Sequence, residues 1–151
     1  MIKFYASEYH NTGLDQTEGG RIDTANPLSG DMGELLSFYS PITGVEAQYR
    51  KIHIRNEGYV KLTGIKVWLG SVDHTGQLAL GTDYAPNQYI GAAVYAPTGV
   101  GFTGYSSYTS GMSLNDLLPF TSTGFWIREY FSGISGQDLY ATARLGIGYK
   151  E

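Results

Sequence analysis

Glu46-Ala47-Gln48-Tyr49-Arg50-Lys51-Ile52-His53-Ile54-Arg55-Asn56 is the most regular stretch of this chain, and its reading decides the fold. Arg50, Ile52 and Ile54 fall on one side of an alternating pattern, and Tyr49, Lys51, His53 and Arg55 on the other. A period of two over ten residues is the signature of a half-buried β-strand. Glu57-Gly58 breaks the pattern, and Leu62-Thr63-Gly64-Ile65-Lys66-Val67-Trp68-Leu69-Gly70-Ser71-Val72 restarts it. Here Ile65, Val67 and Leu69 share a face opposite Lys66 and Trp68. The short link between the two segments suggests an antiparallel hairpin.

Further strands follow the same logic. Leu139, Ala141, Ala143, Leu145, Ile147 and Tyr149 alternate with Thr142 and Arg144. Phe125–Phe131 (FWIREYF) is an aromatic, β-prone run, and Gln77–Thr82 and Tyr89–Tyr95 are shorter candidates. The segment from Asn11 to Gly33 is too rich in turn residues for a long element, so residues 1–33 read as an N-terminal arm with short strands. One helical turn over Asp31–Leu36 is the only helix with a cap, and Pro119 would keep any helix over Leu114–Phe120 brief. The expected architecture is a single all-β domain: an antiparallel β-sandwich, immunoglobulin-like or jelly-roll-like, over residues 34–151, with an extended N-terminal arm.

Composition narrows the function. The 151 residues carry a net charge of −4, only 16% charged residues, 21 glycines, 13 tyrosines and no cysteine. No basic stripe is present to neutralise phosphates or anionic lipids, so neither nucleic acid nor membrane is an expected partner. No run approaches the ~18 apolar residues of a membrane helix, and MIKFYASEYHNTG lacks the apolar core of a secretory leader. Without cysteine there is no disulfide, thiolate metal site or cysteine nucleophile.

No catalytic, cofactor or metal constellation emerges. Gly99-Val100-Gly101-Phe102-Thr103-Gly104 matches GxGxxG, but the dinucleotide motif needs a following helix to hold the pyrophosphate, and Tyr105-Ser106-Ser107-Tyr108-Thr109 is poor helix material. His10, His53 and His74 share no ligand spacing and read as solvated. Asp23, Asp31, Glu34, Asp73, Asp83, Asp116, Glu129 and Asp138 form no catalytic or Ca²⁺-loop pattern, and turn or capping roles explain most of them. The aromatics are less easily absorbed by a core. Phe4, Tyr5 and Tyr9 crowd the first strand, and Tyr89, Tyr95, Tyr105 and Tyr108 crowd a turn-rich region. Tyrosine buries much area at small entropic cost, which makes these seven the candidate interface residues.

Tyr49-Arg50-Lys51-Ile52-His53-Ile54-Arg55-Asn56, followed by a turn and Leu62–Leu69, resembles a paired-strand pattern in small virion structural proteins of tailed bacteriophages. Gly19–Ile22, Leu35–Tyr39 and the Ser40–Ala47 link resemble its lead-in, and Leu118–Phe120 with Phe125–Arg128 its late strand. The likeness runs as scattered segments through residues 19–130, and Tyr84–Ser113 lies outside it. The resemblance implies a non-enzymatic virion protein, made in the host cytoplasm and bound to the major capsid protein or other virion proteins, with self-association. A capsid decoration (cement) protein is the leading expectation. A tail, neck or baseplate component and a carbohydrate-binding sandwich are the alternatives. Arg50 and Arg128 recur in the resembling segments, and both are expected to form buried or interfacial ion pairs rather than a ligand site. An N-terminal arm of this kind would be free to add a strand to a neighbour's open sheet edge.

Overall fold

The computed structural model describes residues 1–9, 18–28, 38–40, 47–72, 78–91, 95–130, 139–141 and 143–151. The helical turn expected over Asp31–Leu36, His10, His74, Asp73 and Asp138 lie outside them. Within them the chain forms strands and turns only: β1 (Ile2–Ser7), β2 (Ile22–Pro27), β3 (Phe38–Ser40), β4 (Ala47–Asn56), β5 (Thr63–Val72), β6 (Leu78–Thr82), β7 (Phe102–Thr103), β8 (Met112–Ser113), β9 (Ser122–Tyr130), β10 (Leu139–Ala141) and β11 (Ala143–Lys150). They build a six-stranded antiparallel sheet in the order β2-β1-β4-β9-β6-β7, a three-stranded sheet β11-β5-β8 and a pair β10-β3.

The all-β sandwich expectation holds, but the link between its two clearest strands does not form a hairpin. β4 pairs with β1 and β9, whereas β5 pairs with β11 and β8. The turn after Asn56 carries the chain from one sheet to the other. This satisfies both apolar faces at once: Ile52 and Ile54 point inward from the large sheet, and Ile65, Val67 and Leu69 join the same core from the small one. Phe125, Ile127, Leu78, Leu80, Met112, Leu62, Leu117 and Leu145 also belong to it. A hairpin would have set those faces side by side and left them to be covered by something else.

The N-terminal segment also differs from a free arm. β1 is hydrogen-bonded on both edges, to β2 and to β4, so its backbone groups are already used within the chain. Of the expected strand at Tyr89–Tyr95, residues 92–94 lie outside the described residues, and Tyr89 forms a single bridge, to Gly19. Gly99–Gly104 is a turn entering the two-residue edge strand β7, with no helix after it, which removes the dinucleotide reading.

The crossover turn is held by one side chain. Asn56 is fully buried; its Nδ2 donates to the carbonyls of Val60 (2.8 Å) and Leu117 (3.2 Å), and its Oδ1 accepts from the Gly58 amide at 2.9 Å. The Phe120 amide donates to the Asn56 carbonyl at 2.8 Å. Buried backbone groups of a turn need partners, and Asn56 supplies them.

Candidate functional site

The outer face of the large sheet should be wet if β4 were half-buried, yet Lys51 and His53 are shielded there. The cover comes from residues 18–20 and 83–90. The Gly20 amide donates to the Gln88 carbonyl at 2.7 Å, and the Ile90 amide to the Glu18 carbonyl at 3.0 Å. Gly19 sits at φ 119, and a Cβ there would stand 2.2 Å from the Gln88 oxygen, so only glycine permits this approach.

Under the cover lies a charged layer. Lys51 Nζ meets Asp83 Oδ2 at 2.8 Å, with side-chain exposures of 0% and 4%. It also donates to the carbonyls of Gly20 and Pro86, each at 2.8 Å. Trp126 Nε1 donates to the other carboxylate oxygen of Asp83 at 3.3 Å. Burial pulls the Lys51 ammonium below its ordinary value, against the hydrogen bond and charge of Asp83. Burial first, and then the charge of Lys51, push the His53 imidazole down to about 4, and its Nε2 has no hydrogen-bond partner. His53 is therefore a neutral interior residue rather than the solvated histidine its place on the polar face suggests. Asp83 is a lysine partner rather than a turn or capping residue alone.

Glu129 faces inward from β9, between Gln48 of β4 and Leu78 of β6. It is fully buried, neither carboxylate oxygen has a hydrogen-bond partner, and burial raises its acid to about 8. Arg50, on the same inner face, is buried and donates to the Tyr49 carbonyl (3.0 Å) and Gln48 Oε1 (3.1 Å). Arg128 points the other way and packs its guanidinium over Phe102 (5.2 Å) and Tyr130 (5.5 Å).

The seven candidate interface aromatics divide. Phe4 and Tyr105 pack against the core, and Tyr5 is buried with its hydroxyl donating to Glu57. Phe4 and Tyr105 are partly buried, because strand alternation turns Phe4 towards the core, and Tyr5 is buried beside Glu57. Tyr9, Tyr89, Tyr95 and Tyr108 are exposed. Tyr9 and Tyr89 stack at 4.2 Å on the cover itself. Tyr108 stands edge-on to Trp68 at 5.7 Å, under the Lys66 ammonium at 5.4 Å. Trp68 rests on Gly146, and Tyr108 on Gly148, of the neighbouring strand β11.

The sequence reading missed a further surface, at the crossover end. Tyr59 is 86% exposed, and Val60, Leu118 and Phe120 are exposed beside it. Tyr59 and Phe120 meet edge to face at 5.2 Å. Phe120 is the only non-glycine at positive φ (61°) among the described residues, a conformation that disfavours a bulky side chain. The signal was present in Gly58-Tyr59-Val60, two large apolar residues directly after a turn, where polar ones are usual.

Among the described residues no group of three or more His, Asp or Glu side chains is arranged to hold a metal ion. No protein-family model, curated protein or solved structure matches the chain.

Proposed function

We propose that this chain is a structural protein of a tailed-phage particle, and that it acts as a head decoration protein which stabilises the shell by burying surface between subunits. The observation that carries the reading is the set of aromatic side chains held outward on a hydrogen-bonded frame: Tyr59 with Phe120 at the Asn56 turn, Tyr9 with Tyr89 on the cover, and Tyr108 beside Trp68. Rigid aromatics lose little entropy on contact, and isolated soluble domains rarely keep several such clusters exposed. Binding to a repeating surface lets each contact be modest, because many copies act together. The virion assignment itself comes from the resemblance of the 19–130 segments to phage virion proteins.

A tail, neck or baseplate role uses the same surfaces on fewer sites. A saccharide-binding role draws support from one feature, the Trp68 indole laid over the bare backbone of Gly146 with Tyr108 at its edge. Adding purified protein back to particles assembled without it separates the three. A decoration protein binds saturably over the head and raises the temperature at which the head opens. Binding confined to the tail moves the assignment there, and binding to isolated saccharides but not to particles overturns the structural role.

A further inference from the structure

We propose that Arg128 anchors a carboxylate side chain presented by a protein partner at the outer face of the large sheet. β9 projects Arg128 to this face in register with Tyr49 of β4 and with the small Ala79 of β6. Phe102 and Tyr130 hold its guanidinium, and Tyr49 packs on Phe102 at 5.5 Å. Its Nε is shut off from solvent and has no hydrogen-bond partner. The ion pairs Lys51–Asp83, Arg55–Glu57 and Lys61–Asp116 do not include Arg128. A half-buried arginine without an acceptor is unusual enough to require a cause, in a chain whose net charge is −4.

The geometry selects the ligand. Rings packed against the guanidinium and a shielded Nε leave its terminal Nη1–Nη2 edge as the recognition element. That edge matches a carboxylate with two parallel hydrogen bonds, and its flanking rings exclude water from the pair. A saccharide would instead need the ring faces that the arginine occupies. An arginine flanked by tyrosine and phenylalanine is also the usual make-up of a binding hot spot. The inference deepens the proposed assembly role by naming the chemistry of the partner surface, and depends on that role only for where the partner sits.

The test is nuclear magnetic resonance of the purified chain, following the Arg128 Nε–H signal. The probes are a capped Gly-Glu-Gly peptide, its Gly-Gln-Gly counterpart, glucuronic acid and sodium chloride. The expected result is a saturable shift with the glutamate peptide, little response to the glutamine peptide or chloride, and loss of affinity by about tenfold or more in Arg128→Lys, which keeps the charge but not the fork. An unchanged backbone spectrum shows that the variant is folded. No response to the glutamate peptide, or one matched by chloride, overturns the site. A stronger response to glucuronic acid transfers it to an acidic saccharide and overturns the protein partner. None of these outcomes depends on whether the chain is found in particles, so the two proposals fail separately.

Discussion

Lys51 and Asp83 meet at 2.8 Å with both side chains almost wholly shielded from water, and the pair ties the middle of the large sheet to the segment that covers it. Removing one partner leaves the other charge buried alone. Lys51→Met is therefore expected to cost about 3–5 kcal/mol in urea denaturation, and Lys51→Met with Asp83→Leu to recover much of it. If the single and double variants are equally destabilised, the pair is not the element that fixes the cover.

Two buried groups, His53 and Glu129, set opposite slopes of stability with pH. His53 falls from 6.5 to about 4 on folding, so the native state binds fewer protons than the unfolded chain in that window, and stability is lost as pH drops through it. Glu129 rises from 4.5 to about 8, so the native state holds the extra proton, and stability is lost as pH climbs from 4.5 towards 8. Together they give a plateau between about pH 4.5 and 6.5 and a decline above it. Glu129→Gln should remove the alkaline decline, and His53→Gln should leave stability falling from pH 4.5 upward. Melting temperatures across this range read both effects; a wild-type curve that rises from pH 6.5 to 8 contradicts the account.

Gly146 carries no side chain because Trp68 occupies the space, and a Cβ there would stand 2.0 Å from the indole. Gly146→Ala is expected to cost about 1–3 kcal/mol and to change the tryptophan emission as the ring is displaced. Gly101→Ala, at a position with nothing within 4 Å, should do neither.

Phe120 holds a left-handed backbone that glycine would adopt freely. Phe120→Gly relieves about 1 kcal/mol of strain and loses the contact with Tyr59, so stability should change by less than about 1 kcal/mol. On the proposed role, attachment to particles should nevertheless weaken, because the exposed ring would serve the partner rather than the fold. Unaltered attachment would remove the Tyr59–Phe120 end from the contact surface.

Strand positions were legible in the sequence because burial on one face imposes a period of two. The alternation of Glu46–Asn56 placed Arg50, Ile52 and Ile54 on the same inner face they occupy, and that of Leu62–Val72 placed Ile65, Val67 and Leu69. What the pattern cannot carry is which strand lies beside which. A short link permits either a hairpin or a crossing between sheets, and only the joint burial of both apolar faces decides. The charged layer was hidden for a related reason. Lys51 and His53 read as a solvated face because their cover comes from Gly19–Gly20 and Asp83–Ile90, some thirty residues away on either side. The candidate surface was partly readable: composition pointed to tyrosine-rich contacts, and Tyr9, Tyr89, Tyr95 and Tyr108 do lie outside. The burial of Tyr5 was not legible because its partners His53 and Glu57 are not local in sequence, and Arg128 was separable from Arg50 only by the register of β9.

The central claim is that these outward aromatics serve a repeating virion surface. Its most direct test is the number of copies of this chain in gradient-purified particles, counted by quantitative mass spectrometry against the major capsid protein. A ratio near one, or a simple fraction of one, is the predicted result. A count of a few to a few dozen contradicts the decoration role and places the chain in the neck, tail or baseplate, and its absence from particles contradicts the structural role altogether.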